Sequence, residues 1–522
     1  MGFSTAAEFD QARPRPVANR AFQTVQDTFV AGVTKDKEWR RQQLKRTWWM
    51  VEENKDRIAA ALHDDLHRHR QESIFSDCAG LQKDVLRTLK SLDEWMKDDK
   101  PTRWDILNFM GGTTVRKEPK GVVLVIGAWN FPVLLILQPM VAAIAAGCAV
   151  ILKPSDMAPA CQDLMMELIP QYLDSSAIRC ISAGPQGMQH ILERRFDHIF
   201  YTGSGNIGKI VYTAAAKNLT PVTLELGGQG PAIVTPTANI DLAGKHIAAA
   251  KFMNAGQICL NVNHILVNPQ VHDALVKALT HHFNIFMGGE DNRPEYYTHI
   301  VNERNFDRLN SLLNSTSGKI VYGGQRDRST RFFAPTIVTG VKPGDSLLSE
   351  EIFGPILPII EADLDTALEF TRGTGQPLSA YVFTQNQAEK DRLLNEIQSG
   401  GVTFNDCMLH AGAQGAPFGG TGSSGFGYYH GIHGFREFSY LRTVTNAFPA
   451  WMESLMDARY PPYSLKKLKA FAPDVTPPFD RDGKDISQRS LTKWAIGFGV
   501  LAFSAVKLGV QERVLDLASE WL

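Results

Sequence analysis

An α/β protein of two or more domains, built on doubly wound sheets, is the fold class this chain predicts. Three observations carry the expectation. Short apolar runs recur along the chain: GVVLVIGAW, CAVILKPS, IRCISA, HIFYTGS and PVTLELGG. Each is strand-sized and apolar on both faces, as buried parallel strands require. Helical segments separate them, and that alternation builds a sheet covered by helices on both sides. The chain's 522 residues also exceed what one hydrophobic core usually serves.

Taken in order, the stretch from Val17 to Lys97 is charged and periodic, with apolar residues at helical spacing in EWRRQQLKRTWWMVEENKDRIAAALHDDL. It predicts two or more amphipathic helices. TTVRKEPKG follows as a polar, strand-like segment. From Gly121 the buried pattern begins, and PVLLILQPMVAAIAAG reads as a helix apolar all round. Beyond Gly227, PAIVTPT and HILVNPQ continue as strands around the largely helical DLAGKHIAAAKFMNAGQICL, which predicts a second α/β domain. From Tyr460 the sequence turns Pro-rich and polar and reads as a linker.

The last segment, Trp494–Val510, is apolar with one charge, Lys507, and an amphipathic stretch follows it. Its 13 apolar residues before Lys507 fall short of the ~20 that span a bilayer. An interfacial helix or anchor is the expected role, and a cover for a substrate funnel is the alternative.

Composition excludes some classes of function. A net charge of −1 with 21% charged residues argues against nucleic-acid binding. The six cysteines, Cys78, Cys148, Cys161, Cys180, Cys259 and Cys407, form no CxxC pair and no zinc spacing. The N-terminus lacks a signal-peptide core, and Ala6 stands where myristoylation wants Ser or Thr. Reduced thiols in a cytosol-facing compartment are expected. His410, His430 and His433 have poor spacing for a metal, and none is expected.

An isolated cysteine is most often core packing. Cys259 has more specific company. NAGQICL resembles the nucleophile motif of the aldehyde dehydrogenase superfamily. TLELGG, with Glu225 34 residues earlier, resembles its general-base motif, and GAWNFP, with Asn130, its oxyanion motif. LKPSD, YTGSGNIGK and EEIFGPILPI resemble its ribose, phosphate-loop and nicotinamide-side motifs. The six are collinear, and the resemblance runs from about Val17 to Pro449. GVTFNDCMLH, PFGGTGSSGFGYYHGIHGFREFS, YPPYSLKKLK and the apolar tail are similar to the class 3 and fatty aldehyde branch, which includes fungal enzymes acting on apocarotenals.

The resemblance implies a Rossmann-like NAD(P)-binding domain (1–103 and 121–226), an α/β catalytic domain (227–434) and a small β oligomerisation arm (104–120 and 435–450). Residues 451–490 are expected as a Pro-rich linker and 491–522 as an apolar and amphipathic C-terminal helix that could anchor at a membrane. It implies Cys259 as nucleophile, Glu225 as general base, and Asn130 with the Cys259 N–H as oxyanion donors. NAD, with NADP as an alternative, is expected against Trp129, Lys153, Ser155, Asp156, Gly203, Ser204, Gly208, Leu226, Gly227, Glu351 and Phe353. A glycine loop between strand and helix suits a pyrophosphate.

Departures from the family pattern qualify this. Asp156 replaces the usual Glu, which loosens the expected NAD preference. Gln229 replaces a Lys and Ala128 a Pro. Asn261–His264 differ from the usual sequence and are expected to influence substrate access. The implied reaction is oxidation of a long-chain or isoprenoid aldehyde by a homodimer that contacts a membrane surface. A small polar aldehyde or semialdehyde is the alternative substrate.

Overall fold

The computed structural model describes residues 14–101, 106–289, 292–450, 457–471 and 477–485. The apolar tail at 491–522 lies outside them. The described residues fall into two compact units, divided at Arg103/Trp104, Gly112/Thr113 and Val444/Thr445.

The larger unit holds two sheets. The first contains β1 (Val122–Ile126), β2 (Ala149–Lys153), β3 (Ile178–Cys180), β4 (His198–Thr202) and β5 (Val222–Glu225). The second contains β6 (Pro231–Val234), β7 (His264–Val267), β8 (Lys319–Tyr322), β9 (Thr336–Thr339), β10 (Ile356–Glu361), β11 (Ser379–Phe383) and β12 (Gly401–Phe404). A short strand β13 (Gly425–Phe426) returns to the first sheet, antiparallel to β5. The strand orders are β13-β5-β4-β1-β2-β3 and β12-β11-β6-β7-β10-β9-β8. All other pairings in the two sheets are parallel except β8 with β9.

β1, β2 and β4 are buried at every position. That is why their sequences are continuous apolar runs rather than alternating ones. The N-terminal helices α1 (Pro14–Val30), α2 (Lys37–Glu53), α3 (Lys55–Leu66) and α4 (Gly80–Met96) are amphipathic, as their spacing predicted. Leu44, Leu62, Leu81 and Val85 pack in one core with Leu135, Ile144 and Val150. Leu135 and Ile144 belong to α5 (Leu134–Ala146), the helix apolar all round. Between α3 and α4 the chain passes through a π-helical turn, Ile74–Ala79, which carries the buried Asp77.

Thr114–Pro119 and Ser439–Val444 pair as a separate antiparallel ribbon. In the smaller unit, Leu465–Phe471 forms a short helix inside what reads as a linker. Leu465 and Leu468 recur there at helical spacing among lysines, a local pattern sufficient for two turns. No described helix is long and apolar enough to cross a membrane.

Candidate active site

β1, β2, β4 and β5 run parallel, so their carboxyl ends form one edge. Most of the motif residues lie there, in the crevice where open α/β sheets bind ligands. Trp129 and Asn130 follow β1, Lys153 ends β2, Gly203 follows β4 and Glu225 ends β5.

Cys259 is delivered by a strained turn. Helix α6 (Ile240–Phe252) opens on the Asn239 side-chain cap. It gives way to a turn at Met253–Gly256 in which Asn254 (φ 50°), Ala255 (φ 49°) and Gly256 (φ 72°) are successively left-handed. Two of the three carry a Cβ, at a cost of about 1–2 kcal/mol each. A dense network holds them there. The Asn254 amide donates to the carbonyls of Asn130 and Gln257, each at 3.0 Å. Its oxygen accepts from Arg68 Nη2 at 2.6 Å, and its N–H donates to Glu72 Oε1 at 2.8 Å. The Gln257 amide donates to Asn254 O (3.1 Å) and His299 O (3.0 Å) and accepts from Val301 N at 3.0 Å.

Asn130 does not cap α5, which starts only at Leu134. Its buried amide donates to Gln257 O at 3.2 Å, two residues before Cys259. One amide hydrogen remains uncommitted among the described residues.

Two carboxylates face the thiol. Glu225 is 2% exposed, and neither of its oxygens closes a regular hydrogen bond. Its nearest polar neighbours are the Cys259 thiol and the Thr202 hydroxyl. Burial pushes the Glu225 carboxyl up to about 7. Glu351 packs against Gly227, where a Cβ would lie 2.2 and 2.3 Å from its oxygens, so a larger residue there would displace the carboxylate. Burial pushes Glu351 to about 8; the Gly228 N–H and Arg308 pull it back, and Glu225 adds to the rise. Cys259 is itself partly exposed. Its thiol is pushed well up by desolvation and then by the charges of Glu225 and Glu351. It therefore rests protonated beside a carboxyl whose own affinity lies near neutrality.

The segment after Glu351 is also fixed. Phe353 is left-handed (φ 48°), and its ring meets that of Trp129 at 5.3 Å and 72°. Ile352 donates to Asn263 Oδ1 at 2.8 Å and accepts from Arg308 at 2.6 Å. Asn261 donates to Ala250 O at 3.1 Å, and His264 is fully buried in β7. Asn261 and Asn263 thus tie main chain together in the core, while Asn261 Oδ1 and His264 Nε2 are buried without a hydrogen-bond partner among the described residues. Lys251 is buried, bonds Gly354 O at 3.3 Å, and desolvation lowers it to about 7.

The glycine loop fits a pyrophosphate. The helix that follows it spans Gly205–Ala216. Its Ser204 N-cap makes no side-chain hydrogen bond, which leaves the first-turn N–H groups open. A Cβ on Gly208 would meet Leu226 at 2.9 Å, so glycine allows helix and strand to approach closely. Lys153 Nζ bonds Asp156 Oδ1 at 2.9 Å, and the Ser155 hydroxyl accepts from Met157 N at 3.3 Å. Every sequence-predicted site residue therefore lies either around Cys259 or along this edge.

The sequence reading missed Arg68, Glu72 and Asp77, and gave no role to Asn254, Gln257 or Lys251. Asn254 and Gln257 sit inside the NAGQICL motif, where two amides among small residues were the available signal. His410 bonds Thr403 at 2.9 Å, and His430 stacks on Phe418 at 5.0 Å. Among the described residues no His, Cys, Asp and Glu cluster has the form of a metal site.

Comparison with known proteins gives the same frame. The sequence profile of the Aldehyde dehydrogenase family matches residues 4–444. The chain is 40% identical to the rat "Aldehyde dehydrogenase, dimeric NADP-preferring", over 84% of this chain and 96% of that one. It is 37% identical to the Neurospora crassa "Beta-apo-4'-carotenal oxygenase", over 88% of this chain and 87% of that one. A substrate-bound Staphylococcus aureus AldH superimposes with a TM-score of 0.83 at 36% identity, covering 87% of this chain and 99% of that chain. A chain matched along most of its length by profile, relatives and structure belongs to the aldehyde dehydrogenase family, and it is an oxidoreductase of that kind.

Proposed function

We propose that this enzyme oxidises a long-chain or isoprenoid aldehyde to its carboxylic acid, with Cys259 as nucleophile, Glu225 as general base and Asn130 as oxyanion donor. One observation carries the catalytic assignment: a partly exposed thiol faces a buried carboxylate that has no regular hydrogen bond of its own. Glu225 takes the thiol proton, and the sulfur attacks the carbonyl carbon. The resulting oxyanion is met by the uncommitted Asn130 amide hydrogen and the Cys259 N–H. After oxidation the acyl group is left as a thioester on Cys259. Glu225 gives that first proton up to solvent and then takes one from water, whose oxygen attacks the acyl carbon; the sulfur leaves and receives this proton, and the acid and the free thiol result.

NAD, with NADP also accepted, supplies the hydride acceptor when bound. Its pyrophosphate would lie on Gly203, Ser204 and Gly208 at the open helix N-terminus, with Leu226 beneath. Its adenosine ribose would meet Lys153, Ser155 and Asp156. Its nicotinamide side would meet Trp129, Gly227, Glu351 and Phe353. Asp156 is half exposed and already paired with Lys153, which weakens the barrier to a 2′-phosphate and supports dual use.

The substrate class rests on similarity to the carotenal-acting Neurospora protein and on the apolar C-terminal sequence. A panel of aldehydes graded by chain length, crossed with both cofactors, tests it. Rising kcat/KM with chain length supports the reading, and a preference for small polar aldehydes replaces it with the alternative. We further propose a homodimer joined through the Thr114–Pro119 and Ser439–Val444 ribbon, with the tail at a membrane surface. Fractionation of the full chain against one ending near Arg489 tests the tail, and equal solubility of the two excludes an anchor.

A further inference from the structure

We infer that Arg68 is a positioning residue that registers the Asn130 loop against the nucleophile turn, so that amide and thiol converge on one carbonyl carbon. The inference rests on the oxyanion role proposed for Asn130.

Arg68 is fully buried, which is costly for a guanidinium unless its donors are satisfied. Nη1 bonds Asp77 Oδ2 at 2.8 Å, and Glu72 Oε1 lies 3.7 Å from Nε. Nη2 donates to two different segments: the main-chain oxygen of Asn130 and Oδ1 of Asn254. Nε donates to the same Asn254 oxygen at 3.2 Å. The guanidinium carbon sits 4.8 Å from the centre of the Phe131 ring, over the residue next to Asn130. Asp77 closes the circuit through its other oxygen, which accepts from Leu134 N at 3.0 Å where α5 begins.

One planar fork thus bonds the loop that carries the oxyanion amide and the left-handed turn that carries the thiol, and its partner Asp77 fixes where that loop enters its helix. The two segments are 124 residues apart in sequence: one follows β1 of the first sheet, and the other precedes β7 of the second. Apart from Arg68, they meet through the Asn130 and Asn254 amides. A lysine has the charge to satisfy Asp77 but not the fork to reach both oxygens.

The test is a double-mutant cycle of Arg68→Lys and Asn130→Ala, read by kcat/KM for a fixed aldehyde, with cofactor dissociation constant and melting temperature measured alongside. Arg68→Lys alone is expected to lower kcat/KM about 100-fold, the scale of an ångström-level misplacement. Cofactor affinity is expected to stay within about 3-fold of the parent. In the Asn130→Ala background, where no amide is left to aim, the same substitution is expected to cost less than about 3-fold.

Losses that multiply, or a fall in cofactor affinity matching the fall in rate, would overturn the inference and leave Arg68 a purely structural residue. Should Arg68→Lys not fold, Asn254→Gly keeps the left-handed backbone while removing the bridge, and must show the same coupling. An Asn130→Ala enzyme with full activity would remove the oxyanion assignment and this inference with it. An impaired Asn130→Ala with multiplying losses removes the inference alone.

Discussion

The two sides of Cys259 are built on opposite principles. On the Asn254–Gln257 side every side-chain amide has partners, a buried guanidinium spans two segments, and left-handed strain is held by fixed hydrogen bonds. On the Glu225–Glu351 side two carboxylates are desolvated, one of them has no regular hydrogen bond, and both are pushed into the neutral range. The difference matches the two kinds of work. Stabilising an oxyanion needs donors that are already in place when charge develops. Moving protons needs groups whose affinity lies near the working pH and whose lone pairs are free.

Substitutions on each side should therefore fail differently. The largest effect belongs to the residue both sides serve. Cys259→Ala is expected to lower the rate of reduced-cofactor formation by at least ~10⁴-fold, with cofactor binding retained. Full activity in that variant would end the mechanism.

Next comes the proton-handling side. Glu225→Gln is expected to slow turnover about 10²–10⁴-fold. The parent's kcat should rise with pH through about 7 as Glu225 ionises, and that limb should vanish in the variant. On the fixed side, Asn130→Ala should cost about 10²–10³-fold. Its pH profile should keep the parent's shape, because no titrating group is removed. A pH profile altered in Asn130→Ala and preserved in Glu225→Gln would reverse the comparison.

The smallest effect concerns stability. Glu225 holds its proton up to about 7 in the folded chain and releases it near the ordinary carboxylate value when unfolded. Its ionisation therefore costs stability as pH rises through that window, and the cost is complete above it. Glu225→Gln should be more stable than the parent at pH 8 by about 3 kcal/mol, with no gain at pH 4. Denaturant titrations at the two pH values measure this. An equal or lower stability at pH 8 would mean that the carboxylate is better solvated than its burial indicates.

The sheets were legible in sequence because strands buried on both faces leave unbroken apolar runs, as in VVLVI and AVILK. The residues around Cys259 were legible because six motifs stand in a fixed order. The support beneath them was not. Arg68 and Asp77 lie in a charged helical region, where burial gives no periodic signature and an arginine reads as surface. The Asn263 side-chain oxygen bonds the main chain of Ile352, 89 residues away. Pairings of that range leave no trace in a single sequence. The left-handed turn at Asn254–Ala255 was equally hidden, since only one of its three residues is a glycine.

The covalent acyl-enzyme can be observed directly. The parent enzyme mixed with a long-chain aldehyde and oxidised cofactor, quenched in acid within the first turnover and examined by intact and peptide mass spectrometry, should carry one acyl group, on the peptide containing Cys259. No adduct, or an adduct on another cysteine, would contradict the assignment of Cys259 as nucleophile.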